Sequence, residues 1–173
     1  MQICGFCTLL VAILAPCACL GQTISVTLGA NSAGSACTFA ASSLMDGFTS
    51  DFTIGSASTG AVPPKVTASP VTIVKKVDNC SIPLVLDLFR GASIPTVTIN
   101  ITGDVSGGTG PLVTITLTTA FATAISDSDA KGEAAPAEKV TLVYEKITTT
   151  DHVNNTSVTC DLLTHLCSSG TAG

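Results

Sequence analysis

The chain has 173 residues, with 7 basic against 12 acidic side chains and a net charge of −5. That balance gives no cationic footprint for phosphates and argues against nucleic acid or anionic membrane surfaces as partners. There is no tryptophan and a single tyrosine, Tyr144, so aromatic platforms for sugars or bases lose ground as well.

The first element is an apolar run, Leu9-Leu10-Val11-Ala12-Ile13-Leu14-Ala15, with no charged side chain near it. Small residues follow, and Cys19-Leu20-Gly21 offers a cleavage position before Gln22. This is the apolar core and processing pattern of a secretory signal peptide. It falls short of the roughly 20 apolar residues that a membrane span needs. Residues 1–21 are therefore expected to be a leader, and the protein to be secreted or periplasmic after cleavage. About 150 residues remain, enough for one domain with a real core. Four cysteines remain with them: Cys37, Cys80, Cys160 and Cys167. In an oxidising compartment they make two disulfides with three pairings open. The short intervening loop favours Cys160–Cys167, which leaves Cys37–Cys80.

The mature chain is rich in threonine, valine, isoleucine, serine and glycine, which favours strands and turns. Period-two alternation predicts strands at Ile24–Leu28, Phe48–Ile54, Val71–Val74, Val97–Thr102, Leu112–Leu117 and Val140–Ile147. Turn-rich stretches separate them at Gly55–Pro64, Gly103–Pro111 and Asp127–Pro136. Ser81 to Arg90 reads as one short helix, with Ser81 placed to cap its first amides, Pro83 in the first turn and Gly91 at the left-handed terminus. Leu84, Val85 and Leu88 share a face that could cover an open barrel end. The expected fold is mainly β: an antiparallel β-barrel or sandwich over residues 22–150 with one helix at about residues 81–90. A polar, cysteine-containing tail, residues 151–173, is expected to end in disorder from Ser168 to Gly173.

Two blocks resemble a known family. Lys76-Val77-Asp78-Asn79-Cys80-Ser81-Ile82-Pro83-Leu84, followed by Gly91, Ile94 and the strand Val97–Ile101, is similar to the lysine, aspartate and Ser-Pro helix start of the haemolysin-coregulated protein (Hcp) family. Pro136-Ala137-Glu138-Lys139-Val140, running on to Lys146-Ile147, resembles that family's Pro-x-Glu-x-Val strand. The resemblance implies a small β-barrel with one helix that assembles into hexameric rings. It also implies stacking into the tube of a type VI secretion system, a conduit and cargo carrier without catalytic residues. The leader, the cysteines and Ile82 inside the Ser-Pro motif depart from the family pattern, and they point to a ring or filament built outside the inner membrane.

Candidate chemical sites are few. Asp127, Asp129, Gly132 and Glu138 have the spacing of a calcium loop. Lys131, however, puts a positive charge where an oxygen donor belongs, and strand-like flanks favour a solvated acidic loop. His152, Cys160, His165 and Cys167 are ligand types for zinc, but their spacing follows no recognised pattern. No Gly-x-Ser-x-Gly elbow surrounds a serine, and the glycine-rich Gly103–Gly110 lacks the lysine of a phosphate loop. Asn100, Asn154 and Asn155 begin Asn-x-Ser/Thr triplets, which are silent unless the host glycosylates. Lys76 and Asp78 read as a contact at the helix start, and Asp87 with Arg90 as a helical ion pair. No cofactor or resident metal is expected. The sequence thus favours a non-catalytic, self-associating subunit, with a monomeric secreted binding or adhesin-like module as the alternative.

Overall fold

The computed structural model describes residues 22–30, 36–45, 69–105, 108–128 and 135–172. The expected leader, the predicted strand Phe48–Ile54 and Asp129 lie outside these residues. Eight strands and one helix follow in chain order: β1 Thr23–Leu28, β2 Cys37–Met45, β3 Val71–Lys76, α1 Ser81–Arg90, β4 Ile94–Val105, β5 Gly108–Ser128, β6 Ala137–Asp151, β7 Thr156–Asp161 and β8 Leu166–Thr171. They form one antiparallel sheet in the order β3-β2-β1-β4-β5-β6-β7-β8. A further pairing of β3 with β6, from Val71 opposite Leu142 to Lys76 opposite Ala137, closes the first six strands into a barrel.

The barrel interior follows from the alternation. Val26 and Leu28, Val71 and Ile73, Val97 and Ile99, Ile115 and Leu117, and Val140 and Leu142 all point inward, each exposed by 4% or less. Their neighbours in sequence are mostly threonines, whose branched Cβ suits a strand and whose hydroxyl suits water. In consequence the outer face carries a ladder of hydroxyls across seven strands. The registers link Thr38 to Thr27, Thr27 to Thr98, Thr98 to Thr116, Thr116 to Thr148, Thr148 to Thr159 and Thr159 to Ser168. None of these seven residues is buried. The Oγ1 atoms of Thr27 and Thr38 lie 3.0 Å apart, and those of Thr148 and Thr159 lie 2.9 Å apart.

Several elements differ from the sequence expectation. β4 and β5 run on into the glycine-rich stretch, pairing as far as Val105 opposite Gly108. A register shift between Ile101 and Thr102 accommodates Pro111, which has no N–H to give the ladder. β5 spans 21 residues and bends through a second shift between Ala122 and Ala124. Thr119, in the same strand, has a left-handed φ of 50°.

The tail is folded where disorder was expected. β7 pairs with the C-terminal half of β6, and β8 pairs with β7 through Thr171. Two similar turns make this order. Asp151 Oδ1 accepts the N–H groups of Val153 and Asn154, and Asp161 Oδ1 accepts those of Leu163 and Thr164. Each turn closes on a left-handed residue, Asn155 (φ 53°) or His165 (φ 56°). Aspartate side chains that mimic a backbone turn supply what the missing glycines would otherwise provide.

α1 ends as its sequence suggests. Gly91 adopts φ 59°, and the N–H groups of Gly91 and Ala92 bond to the carbonyls of Leu88 and Asp87, the two-bond closure that glycine permits at a helix end. The other end differs from expectation: the cap position is Cys80, and it makes no side-chain capping bond. α1 packs against β5 and sends Leu84 into the core, where it is fully enclosed, a burial that stabilises by about 1.5–3 kcal/mol. No helix among the described residues is long and apolar enough to cross a membrane.

Candidate functional site

The most unusual chemistry lies inside the barrel. On β3, period-two alternation carries Val71 and Ile73 inward, and then Lys75, which is 0% exposed. An ammonium cannot be buried alone, because its desolvation costs several kcal/mol unless charges and hydrogen bonds replace the water. Here they do. Lys75 Nζ lies 2.8 Å from Glu138 Oε2 on β6 and 2.8 Å from Asp78 Oδ1. It also donates to Ser81 Oγ at 2.9 Å and to the Lys76 carbonyl at 3.0 Å. Glu138 is itself 1% exposed and accepts a second bond from Ser81 Oγ at 2.7 Å. The Phe39 ring of β2 lies 5.0 Å from Lys75 Nζ, within cation–π range.

The cluster joins the barrel wall to the helix start. Asp78 Oδ1 accepts the Cys80 N–H at 2.8 Å, and the Asp78 N–H donates to Ser81 Oγ at 3.1 Å. Ser81 therefore serves the ion cluster instead of capping α1. Lys75, not Lys76, meets Asp78; the Lys76 ammonium reaches the Ala135 carbonyl at 3.3 Å. The two sequence blocks that resemble the Hcp family thus meet in space, one contributing Asp78 and Ser81, the other Glu138.

Two cysteine pairs stand at disulfide distance. Cys37, the first residue of β2, has its Cα 5.9 Å from that of Cys80 beside the ion cluster. Cys160 and Cys167 are directly opposite each other on β7 and β8, with Cα atoms 4.1 Å apart.

The other sequence-predicted residues do not converge. Glu138 is committed to Lys75 and Ser81, while Asp127, its neighbour across β5 and β6, is exposed, so the calcium spacing builds no shared cradle from the described residues. Of the four zinc-type residues, Cys160 and Cys167 face each other and the His152 Nε2 pairs with Thr114 Oγ1 at 2.9 Å. Among the described residues, no group of three or more histidines, cysteines or acids is placed to hold a metal. Asp87 is turned into the protein, 4% exposed, with Oδ1 lacking a hydrogen-bond partner, and Arg90 is exposed, so the expected helical ion pair does not form. Asn100 sits on the hydroxyl face, where its Oδ1 accepts from Thr114 at 2.9 Å. Asn154 and Asn155 occupy the exposed β6–β7 turn.

The exterior offers two further features. α1 presents Phe89, 84% exposed, and Ile82, 75% exposed, to solvent. β8 is exposed along its whole length and pairs only with β7 among the described residues. Beside it an open groove of about 420 Å³ is lined by Lys146, Thr159, Asp161, Leu166, Cys167 and Ser168, with Lys146 Nζ 3.5 Å from Asp161 Oδ2.

These features define a helix-bearing antiparallel β-barrel stitched together by an internal ion cluster. Residues 41–150, well over half of the chain, match the family described as type VI secretion system effector, Hcp. The chain belongs to the Hcp family. Solved structures with the same fold include a type six secretion system protein with 16% identity and a TM-score of 0.65, covering 86% of this chain and 100% of that one. An Hcp protein from Salmonella typhimurium has 17% identity and a TM-score of 0.62, with coverage of 86% and 100%. A secreted Hcp protein from Pseudomonas aeruginosa has 19% identity and a TM-score of 0.56, with coverage of 87% and 98%. At these identities the likeness establishes the fold alone. Compared directly with curated protein sequences, the chain finds no match.

Proposed function

We propose that the mature protein, freed of residues 1–21, is a non-catalytic structural subunit. It self-associates into hexameric rings or tubes of the type VI secretion kind and carries cargo outside the cytoplasm. Its two cysteine pairs are disulfides, Cys37–Cys80 and Cys160–Cys167. The observation that carries this reading is β8, six residues long and an edge strand among the described residues, in which no position holds proline or a charged side chain. Monomeric proteins usually blunt such an edge, and a subunit uses one to continue its sheet into a neighbour. The exposed apolar pair Ile82 and Phe89 adds a second contact of the kind that subunit surfaces supply. The buried lysine and glutamate fit a structural role too, since each is saturated by partners within the fold.

The test is the solution mass of the processed, oxidised protein by light scattering, with negative-stain images of the same sample. Rings of about six subunits are expected, the number that the family resemblance implies, closed by head-to-tail contacts. A strict monomer at high concentration overturns the proposal and leaves a secreted binding module as the reading.

A further inference from the structure

We propose that Cys37 and Cys80 form a redox latch that seats the helix start and the first half of β2 on the barrel, and so confines assembly to an oxidising compartment. This rests on the assembly reading above. Three observations converge on it. First, the ladder between β2 and β3 begins only at Ala41 opposite Lys75. Cys37 to Ala40 therefore have β1 as their one described neighbour, and the cysteine bond is a second tether for that half-strand. Second, Cys80 is 0% exposed and is the cap residue of α1, the helix that displays Ile82 and Phe89. Third, the bond would lie within the ion cluster's own framework. The Cys80 N–H bonds to Asp78 Oδ1, and Phe39, two residues beyond Cys37, covers Lys75. The second cysteine pair has no such position. It ties two strands that already pair along their whole length.

The chemistry is thiol–disulfide exchange with a small-molecule or protein disulfide as oxidant. The Cys37 thiolate attacks the oxidant, and a mixed disulfide forms with release of one thiol. Cys80 then attacks the Cys37 sulfur, closing the protein bond and releasing the second thiol. The two cysteines lose two electrons and two protons in total, and the oxidant gains them. Reduction runs the sequence backwards, leaving two thiols and a β2 half-strand held by its pairing with β1 and by the buried Phe39 ring. In a reducing cytoplasm the chain would then keep its barrel and the ion cluster's hold on Ser81 but lose the covalent tie between the helix start and β2, and rings would form only after export.

The experiment uses the processed Cys160→Ser/Cys167→Ser variant, so that a phosphine reductant acts on Cys37–Cys80 alone. Hydrogen exchange and light scattering are read before and after reduction, with thiol labelling to confirm that the bond has opened. The expected result is loss of amide protection at residues 37–40 and at Ser81 and Leu84, whose N–H groups bond to the Asp78 and Cys80 carbonyls. Protection at Ile115 and Leu117 is kept, and the mass falls from rings to monomer. Rings that persist with unchanged exchange after verified reduction overturn the latch. A protein that is monomeric in both states overturns the assembly reading, and the gating with it. Loss of protection at residues 37–40 with rings intact shows a structural tether and overturns the gating.

Discussion

Replacing Glu138 with glutamine tests the internal ion cluster most directly. The change keeps the volume and a hydrogen-bonding carbonyl but leaves Lys75, which is fully enclosed, without the carboxylate 2.8 Å away. Breaking a buried pair from one side costs about 3–5 kcal/mol. Lys75 would still have Asp78 at 2.8 Å, but that carboxylate is 30% exposed and shares its field with water, so a loss of about 3 kcal/mol is expected for Glu138→Gln. Lys75→Met should cost more, about 5 kcal/mol, because it strands Glu138 with only the Ser81 hydroxyl. The double variant Lys75→Met/Glu138→Leu removes both charges and should lie within about 2 kcal/mol of the parent. Equilibrium urea unfolding with the disulfides intact is the assay. With a slope of about 2 kcal/mol/M, Glu138→Gln moves the midpoint down by about 1.5 M. A loss below about 0.5 kcal/mol for Glu138→Gln, or a double variant worse than either single one, would refute the buried-charge reasoning.

Two further outcomes follow from backbone and turn geometry. Thr119→Gly should be neutral or stabilising in the same assay, although threonine-to-glycine in a strand normally costs up to about 1 kcal/mol; the left-handed φ at Thr119 is one that glycine adopts freely. A loss above about 1.5 kcal/mol would show that the hydroxyl or methyl matters more than the backbone. The hairpin aspartates give an acid signature. The side-chain amide of Asn154, then its N–H, holds the Asp151 carboxyl below the usual carboxylate range, and the Thr164 N–H does the same for Asp161. Depressed folded values mean stability that is present above about pH 4 and lost as pH falls through the folded pKa. Melting of Asp151→Asn and Asp161→Asn variants between about pH 5 and pH 2 should show a shallower acid decline than the parent, and parallel curves would contradict this.

Much of the barrel was legible because alternation is a strong local signal. Ile24–Leu28, Val97–Thr102 and Val140–Ile147 all lie within observed strands, and the residues from Ser81 to Gly91 mark α1 well. β2 was missed because Cys37 to Met45 is mostly small residues with little apolar contrast, and its place is fixed by β1 and β3. β7 and β8 were missed because their turns use aspartate and left-handed Asn155 and His165 in place of glycine, and because the pairing of β7 with β6 and of β8 with β7 outweighs their polar sequence. In the ion cluster, Asp78 was recognised but its partner was placed one residue too late. The signal was available: Lys75 continues the inward positions of Val71 and Ile73, while Lys76 does not. Glu138 was noticed for calcium spacing, whereas its burial depends on the β3–β6 closure, which no local pattern encodes.

The ladder from Thr38 to Ser168 makes one wall of this protein behave like a neutral hydroxylated coating. Uncharged hydroxyls gather no counterion atmosphere, so whatever touches the wall should bind with an affinity that is flat in ionic strength. Each hydroxyl both donates and accepts, so the wall can trade bonds with water or with a sliding polypeptide at little net gain. A molecule moving across it would meet fixed charge at its border, where Lys146 and Asp161 lie opposite each other. Such a surface wets readily and holds weakly.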